Sequence, residues 1–174
     1  MSPQTQMTPN RIVDSLVQRG VIQRPALEEA QATAQETGMQ LESFLVENKL
    51  ASDVDMALAF SDYLNLPPMQ LKSFSPSEQL LELIPQETMQ RHSVVPVARV
   101  AKLLTVAMAD PFDVVALDQI QAVTGLDVVP VIAPESQVNE LIERSASESG
   151  AGLADILRDV AEGDDIEVGM EEVD

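Results

Sequence analysis

Apolar positions recur at helical spacing near the start of the chain, and the same pattern returns 29 residues later. Residues 11–22 align with residues 40–51, so that Leu16 matches Leu45 and Val17 matches Val46. In each copy the spacing predicts a short amphipathic helix, a turn and a second helix. One such unit cannot bury its apolar face alone, so two copies predict a small helical subdomain.

Glycine, proline and serine residues mark the ends of these four predicted helices. Gly20 and Gly38 follow the first and second predicted helices, at positions typical of a helix C-terminus. Pro25 suits the first turn of the second helix, and Ser52 suits the N-cap of the fourth. The repeated positions are apolar or turn residues rather than acids, bases or nucleophiles, which favours binding over chemistry.

From about residue 84 the pattern changes to short β-branched runs separated by helical segments. The predicted order is α-β-β-α-β-α, with strands near residues 93–99, 102–108 and 127–132. A helix joins the second and third strands, so these two strands should be parallel. Pro96 favours an edge position or a bulge for the first strand. A helix starting at Asp110 joins the last two strands, and the final helix is expected to end near Arg144.

The predicted fold class is therefore α+β, in three parts. Residues 1–71 form a helical subdomain of two helix-turn-helix repeats, and residues 72–146 form a small sandwich with a three-stranded sheet. Residues 147–174 are rich in acidic, glycine, serine and alanine residues, and we expect an acidic linker or disordered tail with one short helix at about residues 153–160.

Charge and composition exclude several classes of partner. The formal net charge is −19, and almost half of it lies in the last 27 residues. Such a surface disfavours nucleic acids and anionic lipid. The chain has no cysteine, no apolar run of about 20 residues that could span a bilayer, and no secretory pattern at its start. We expect a cytoplasmic protein without direct membrane insertion.

The chain has few candidate residues for catalysis, phosphate binding or metal binding. None of the three lysines follows a glycine, so the chain lacks the loop that cradles nucleotide phosphates. The single histidine, His92, is interpreted as a helix C-terminal residue favoured by the helix dipole. Asp110 is interpreted as a helix cap, and Asp113 and Asp118 as solvated helix surface, rather than as cation ligands. The sequence therefore predicts no enzyme, no catalytic residue, no cofactor and no metal.

The chain resembles the N-terminal domain of the traffic ATPases of type II secretion and type IV pilus assembly, and its second half matches best. The resemblance covers about residues 10–146 and is most specific at residues 105–111, TVAMADP. It implies a docking or regulatory module that binds the cytoplasmic part of an inner-membrane platform protein. It also implies contact with a traffic ATPase core, in cis or in trans, and a peripheral location at the inner membrane through a protein partner.

Some members of that family bind cyclic di-GMP through two tandem copies of such a repeat, which leaves cyclic di-GMP sensing as an alternative function. The resemblance implies that the candidate ligand contacts in this chain are Arg11, Leu16, Gly20, Gln40 and Leu45. However, Val13, Glu42 and Lys49 stand where the family pattern has glycine. Side chains at those positions would block a close approach of backbone to ligand, so the docking function is favoured.

Overall fold

The structure is a computed structural model, which describes the backbone of residues 8–162 and the side chains of residues 11–150. The helices are α1 (Thr8–Gln18), α2 (Arg24–Thr37), α3 (Leu41–Glu47), α4 (Asp53–Leu64), α5 (Glu78–Leu81), α6 (Gln86–His92), α7 (Val114–Thr124) and α8 (Glu135–Glu162). The strands are β1 (Val94–Val100), β2 (Leu103–Met108) and β3 (Asp127–Ile132). The predicted α+β class is confirmed.

Helices α1 to α4 form two consecutive helix-turn-helix units with matching backbone geometry. The N–H of Val21 donates to the carbonyl of Leu16 over 3.0 Å, and the N–H of Leu50 donates to the carbonyl of Leu45 over 2.9 Å. Each of these residues lies 29 positions from its counterpart, so the predicted repeat is present in the hydrogen bonds of both turns.

The two units share one apolar core. Leu16 and Leu45, the matching leucines of the repeat, are both fully buried. They belong to a cluster that also contains Ile12, Leu27 and Met56, contributed by α1, α2 and α4. Burial of one such side chain stabilises the fold by about 1.5–3 kcal/mol, so the apolar stripe that defines the repeat also holds the four helices together.

The sheet has the strand order β1-β2-β3. Strand β1 pairs antiparallel with β2, and β3 pairs parallel with β2 after the connection through α7. The predicted parallel pair is therefore confirmed. The register between β1 and β2 shifts between Pro96 and Ala98, as expected for a proline that cannot donate a ladder hydrogen bond.

A second apolar core lies around this sheet. Its strand residues include Val94, Leu104 and Met108, and Ile120 of α7 and Leu141 of α8 belong to the same buried cluster. The helical repeats and the sheet thus each have their own buried cluster. The predicted boundaries at residues 71 and 146 stay a prediction.

Helix α7 begins later than the sequence indicated. Asp110 does not cap it; its Oδ1 atom accepts a hydrogen bond from the N–H of Phe112 in a local turn. The N-cap is Asp113, whose side chain accepts from the N–H of Ala116 at 3.0 Å. Both residues can act as caps, and the turn around Pro111 moves the helix start by three residues.

The chain divides into two compact units, Met1–Ile142 and Glu143–Asp174. Helix α8 runs to Glu162, so the expected helix end near Arg144 is wrong. Residues 147–162 are helical, and the acidic linker or tail expected at residues 147–174 stays a prediction. Eight of the sixteen residues 147–162 are alanine, leucine, glutamate or arginine, and their helix propensity offsets the cost of Gly150 and Gly152. The rest of the predicted tail, residues 163–174, lies outside the described residues. No helix in the described part of the chain is long and apolar enough to span a membrane.

Candidate functional site

A cleft of about 770 Å³ opens within the unit Met1–Ile142. Residues of α3 and α4 line one part of it, and residues from the ends of α6, α7 and α8 line another. Its apolar lining consists of Val46, Met56, Ala57, Phe60, Ala109, Phe112 and Ala133. The cleft therefore lies where the helical repeats meet the sheet subdomain, and we call it the acidic cleft for the charges described next.

Carboxylates dominate the polar lining of the acidic cleft. They belong to Glu42, Glu47, Asp53, Asp110, Asp113 and Glu135. Among the described residues that line it, Arg91 is the one lysine or arginine. Arg91 already forms an ion pair with Glu87 at 2.6 Å. Because like charges concentrated in a cleft focus the electric field, this site attracts cations and repels anions.

Asp53 links two helix N-termini across the cleft. Its Oδ1 atom accepts from the N–H of Val54 at 3.0 Å, and its Oδ2 atom accepts from the N–H of Ser136 at 2.9 Å and from the Ser136 hydroxyl. Partial burial raises the pKa of this carboxyl, but the hydrogen bonds from Ser136 and Val54 outweigh burial and lower the pKa below 3.8. Asp53 is thus held as a carboxylate that caps α8 as well as favouring the start of α4.

His92, the last residue of α6, is paired with Asp113. Its Nδ1 atom lies 2.6 Å from Asp113 Oδ2, and its Nε2 atom lies 3.2 Å from Gln119 Oε1. Burial raises the pKa of Asp113, while the N–H of Ala116 and the imidazole of His92 lower it, and the net direction is downward. The helix C-terminal position predicted for His92 is confirmed, but its partner 21 residues later carried no local signal in the sequence.

Three of the five aromatic side chains meet beside the cleft. The ring centroid of Phe112 lies 5.8 Å from that of Phe60 in an edge-to-face arrangement and 6.4 Å from that of Tyr63. Phe112 is nevertheless 43% exposed, and Val114 and Val115 that follow it are 64% and 58% exposed. Exposed aromatic and branched apolar residues next to a cleft are typical of a protein-binding surface.

Three of the carboxylates that line the cleft have no partner among the described residues to balance their charge. Within residues 11–150, the side chains of Glu42, Glu47 and Glu135 have no hydrogen-bond or ion-pair partner. Glu47 and Glu135 are exposed and Glu42 is half-buried. Their charges can therefore be neutralised by a partner without breaking a contact inside the protein.

The candidate ligand residues of the repeats lie in different environments. Leu16 and Leu45 are 0% exposed and belong to the helical core. Arg11 is exposed on α1, and Gly20 lies in the turn after α1 with φ 73°. Gln40 immediately precedes α3 and lines the acidic cleft, whereas the other four residues do not line it. Their role in ligand binding stays a prediction.

The sequence did not reveal the acidic cleft because its lining comes from distant segments. Glu42 and Glu47 belong to α3, Asp53 to α4, and Asp113 and Glu135 to the starts of α7 and α8. Separately, each acid is explained by a helix cap or a solvated surface. Only the packing of the helical repeats against the sheet subdomain brings these carboxylates to one cavity.

The MshEN domain model matches residues 64–152, which is half of the chain. The chain belongs to the MshEN domain family. The matched region includes the sheet, α7 and the start of α8, and this domain is not the catalytic core of the ATPases that contain it.

Curated relatives are ATPases of pilus assembly and protein secretion. The chain is 35% identical over 164 residues to the type IV pilus assembly ATPase PilB of Myxococcus xanthus, covering 94% of this chain and 29% of that protein. It is 28% identical over 165 residues to the type II secretion system protein E of Xanthomonas campestris pv. campestris, covering 90% of this chain and 29% of that protein. The chain thus spans less than a third of the length of these relatives.

Two solved structures share the fold. A structure of MshE with cyclic di-GMP matches with a TM-score of 0.65 and 26% identity, covering 77% of this chain and 97% of that one. The N-terminal domain of XpsE matches with a TM-score of 0.64 and 28% identity, covering 78% of this chain and 94% of that one. These matches confirm the resemblance to the N-terminal domains of secretion and pilus ATPases.

Proposed function

We propose that this chain is a non-catalytic docking and regulatory module of a type II secretion or type IV pilus assembly ATPase. In this proposal it binds the cytoplasmic part of an inner-membrane platform protein and works with the ATPase core, in cis or in trans. It would therefore act in the cytoplasm, held at the inner membrane through its protein partner. The observation that carries the proposal is the acidic cleft, an open cavity with an apolar lining and free carboxylates.

The character of the site supports binding rather than catalysis. A histidine–aspartate pair is common in catalytic sites. Here the pair of His92 and Asp113 joins the end of α6 to the start of α7, where Asp113 also caps the helix. In the described part of the chain, no three histidine, aspartate or glutamate side chains come together as a cation site. The proposal itself assigns no catalytic residue, metal or cofactor.

Cyclic di-GMP sensing is the second candidate, favoured by the likeness to MshE, whose structure contains that ligand. It would use the predicted contacts at Arg11, Leu16, Gly20, Gln40 and Leu45. Three features weigh against it here. Two of the five residues are fully buried leucines, Glu42 stands at an expected glycine position two residues after Gln40, and the Glu42 carboxylate itself repels a dianion.

Isothermal titration calorimetry with the full chain separates the two functions. The platform protein's cytoplasmic part is expected to bind with a stoichiometry near one, and cyclic di-GMP is expected to give no binding heat. Cyclic di-GMP binding that Arg11→Ala weakens would favour the nucleotide sensor. Absence of binding to the platform protein would contradict the docking function.

A further inference from the structure

We propose that the acidic cleft receives a cationic amphipathic helix of the partner, with lysine or arginine on one face and apolar side chains on the other. This inference rests on the proposed docking function, because it names the chemistry of the segment that docks. It is carried by the charge of the cleft, by the apolar surface within and beside it, and by the way its helix N-termini are capped.

The charge of the cleft requires a cationic occupant. Of its six lining carboxylates, those of Glu42, Glu47 and Glu135 have no partner among the side chains of residues 11–150. Arg91, the lining arginine, is engaged by Glu87. A partner that supplies lysine or arginine would therefore form new ion pairs without breaking an existing one. The complementary charge would also accelerate its association.

The apolar surface requires an amphipathic occupant rather than a purely polar one. The cavity is lined by Val46, Met56 and Phe60. Phe112 contacts Phe60 and is still 43% exposed. Apolar anchors in a groove surrounded by charges are the arrangement in which amphipathic helices bind to protein surfaces. A helix that places apolar side chains against Phe112 would bring its basic residues near the free glutamates.

The capping arrangement disfavours an anionic occupant. Helix N-termini normally attract anions, and α4, α7 and α8 all start at the cleft. Asp53 already accepts from the N–H groups of Val54 and Ser136, and Asp113 already accepts from the N–H of Ala116. The protein's own carboxylates therefore occupy the positions that a phosphate would need. A volume of about 770 Å³ is ample for several side chains of a docked helix.

Nuclear magnetic resonance titration of the isotope-labelled full chain tests the inference directly. The probe is a synthetic helical peptide of leucine and lysine at amphipathic spacing, and its counterpart has glutamate in place of lysine. We expect the lysine peptide to shift the amide signals of residues 42–47 and 110–115, and the glutamate peptide to shift none. Shifts spread over the whole acidic surface, or confined to other helices, would overturn the inference.

A pair of matched double variants controls for non-specific attraction to an acidic protein. Glu42→Gln with Glu47→Gln removes two free charges of the cleft, whereas Glu28→Gln with Glu29→Gln removes two exposed charges on α2 that do not line it. We expect the cleft variant to weaken peptide binding by roughly 3- to 10-fold and the α2 variant to have little effect. Equal weakening by both variants would overturn the inference.

The same variants separate this inference from the proposed function. If the platform protein binds the cleft variant as tightly as the unaltered chain, the docking function stands and the cleft is not its site. If the platform protein fails to bind at all, the docking function fails, and the peptide titration still decides whether the cleft selects a cationic helix.

Discussion

Asp53 accepts hydrogen bonds from the backbone N–H and the hydroxyl of Ser136, a residue 83 positions later in the chain. The carboxylate belongs to the first turn of α4, and the two donors belong to the first turn of α8. One side chain thus stabilises the start of a helix in the repeats and the start of a helix beside the sheet. This contact fixes one wall of the acidic cleft.

Replacing Asp53 should therefore destabilise the protein more than replacing an exposed aspartate. We expect Asp53→Ala to lower the free energy of unfolding by about 1–2 kcal/mol, because it leaves the N–H of Ser136 without its acceptor. The control is Asp62→Ala, which removes the exposed ion pair with Arg19 and the exposed hydrogen bond from the Ser15 hydroxyl and should cost less than about 1 kcal/mol. Urea unfolding measures both values, and equal losses would contradict the capping role.

Stability should decrease as the pH falls below the ordinary aspartate pKa of 3.8. Although burial raises the pKa of Asp53 and of Asp113, hydrogen bonds outweigh it and lower both below that value. The unfolded chain then binds protons more readily than the folded one, so the stabilisation is present above pH 3.8 and is lost as the pH falls through the folded pKa. Urea unfolding from neutral to acid pH checks this, and Asp113→Asn should flatten the profile. An unchanged profile would contradict the assignment.

The turn after α3 contains a strained lysine. Lys49 has φ 57°, and its counterpart in the first helix-turn-helix repeat is Gly20 with φ 73°. A residue with a Cβ in the left-handed conformation lowers the stability by about 1–2 kcal/mol. Glycine removes this strain, but its greater flexibility in the unfolded chain cancels part of the gain. We expect Lys49→Gly to raise the free energy of unfolding by about 0.5–1 kcal/mol. Lys72→Gly, at a position without positive φ, should not stabilise, and a stabilising effect there would count against the explanation.

The two matching leucines should be energetically equivalent. Leu16 and Leu45 are both fully buried in the core of the repeats. We expect Leu16→Ala and Leu45→Ala each to lower the free energy of unfolding by about 2–5 kcal/mol. Denaturant unfolding of the two variants checks the equivalence. A small loss for either one would show that the repeat does not share a single core.

Much of the fold could be predicted from local sequence. The spacing of apolar residues located the helices of the repeat, and the capping box of Ser52 and Asp55 at α4 follows from adjacent residues. The bulge after Pro96 follows from a missing N–H donor. The continuation of α8 beyond Arg144 was not predicted, because glycine and serine residues typical of a linker alternate there with helix-forming residues.

The candidate site could not be predicted in the same way. The pairing of Asp53 with Ser136 and of His92 with Asp113 depends on tertiary packing between segments far apart in the chain. The helical position of His92 was visible locally. Asp113 was expected on a solvated helix surface, and neither its capping of α7 nor its contact with His92 was predicted. The acidic cleft likewise exists only after the helices are assembled.

Hydrogen exchange of the full chain, with and without the cytoplasmic part of the platform protein, tests the central claim most directly. If docking uses the acidic cleft, amides of residues 42–47 and 110–115 should gain protection in the complex, while α2 stays unchanged. Protection confined to the exposed faces of α1 and α2, or no protection with any platform protein, would contradict docking at the cleft.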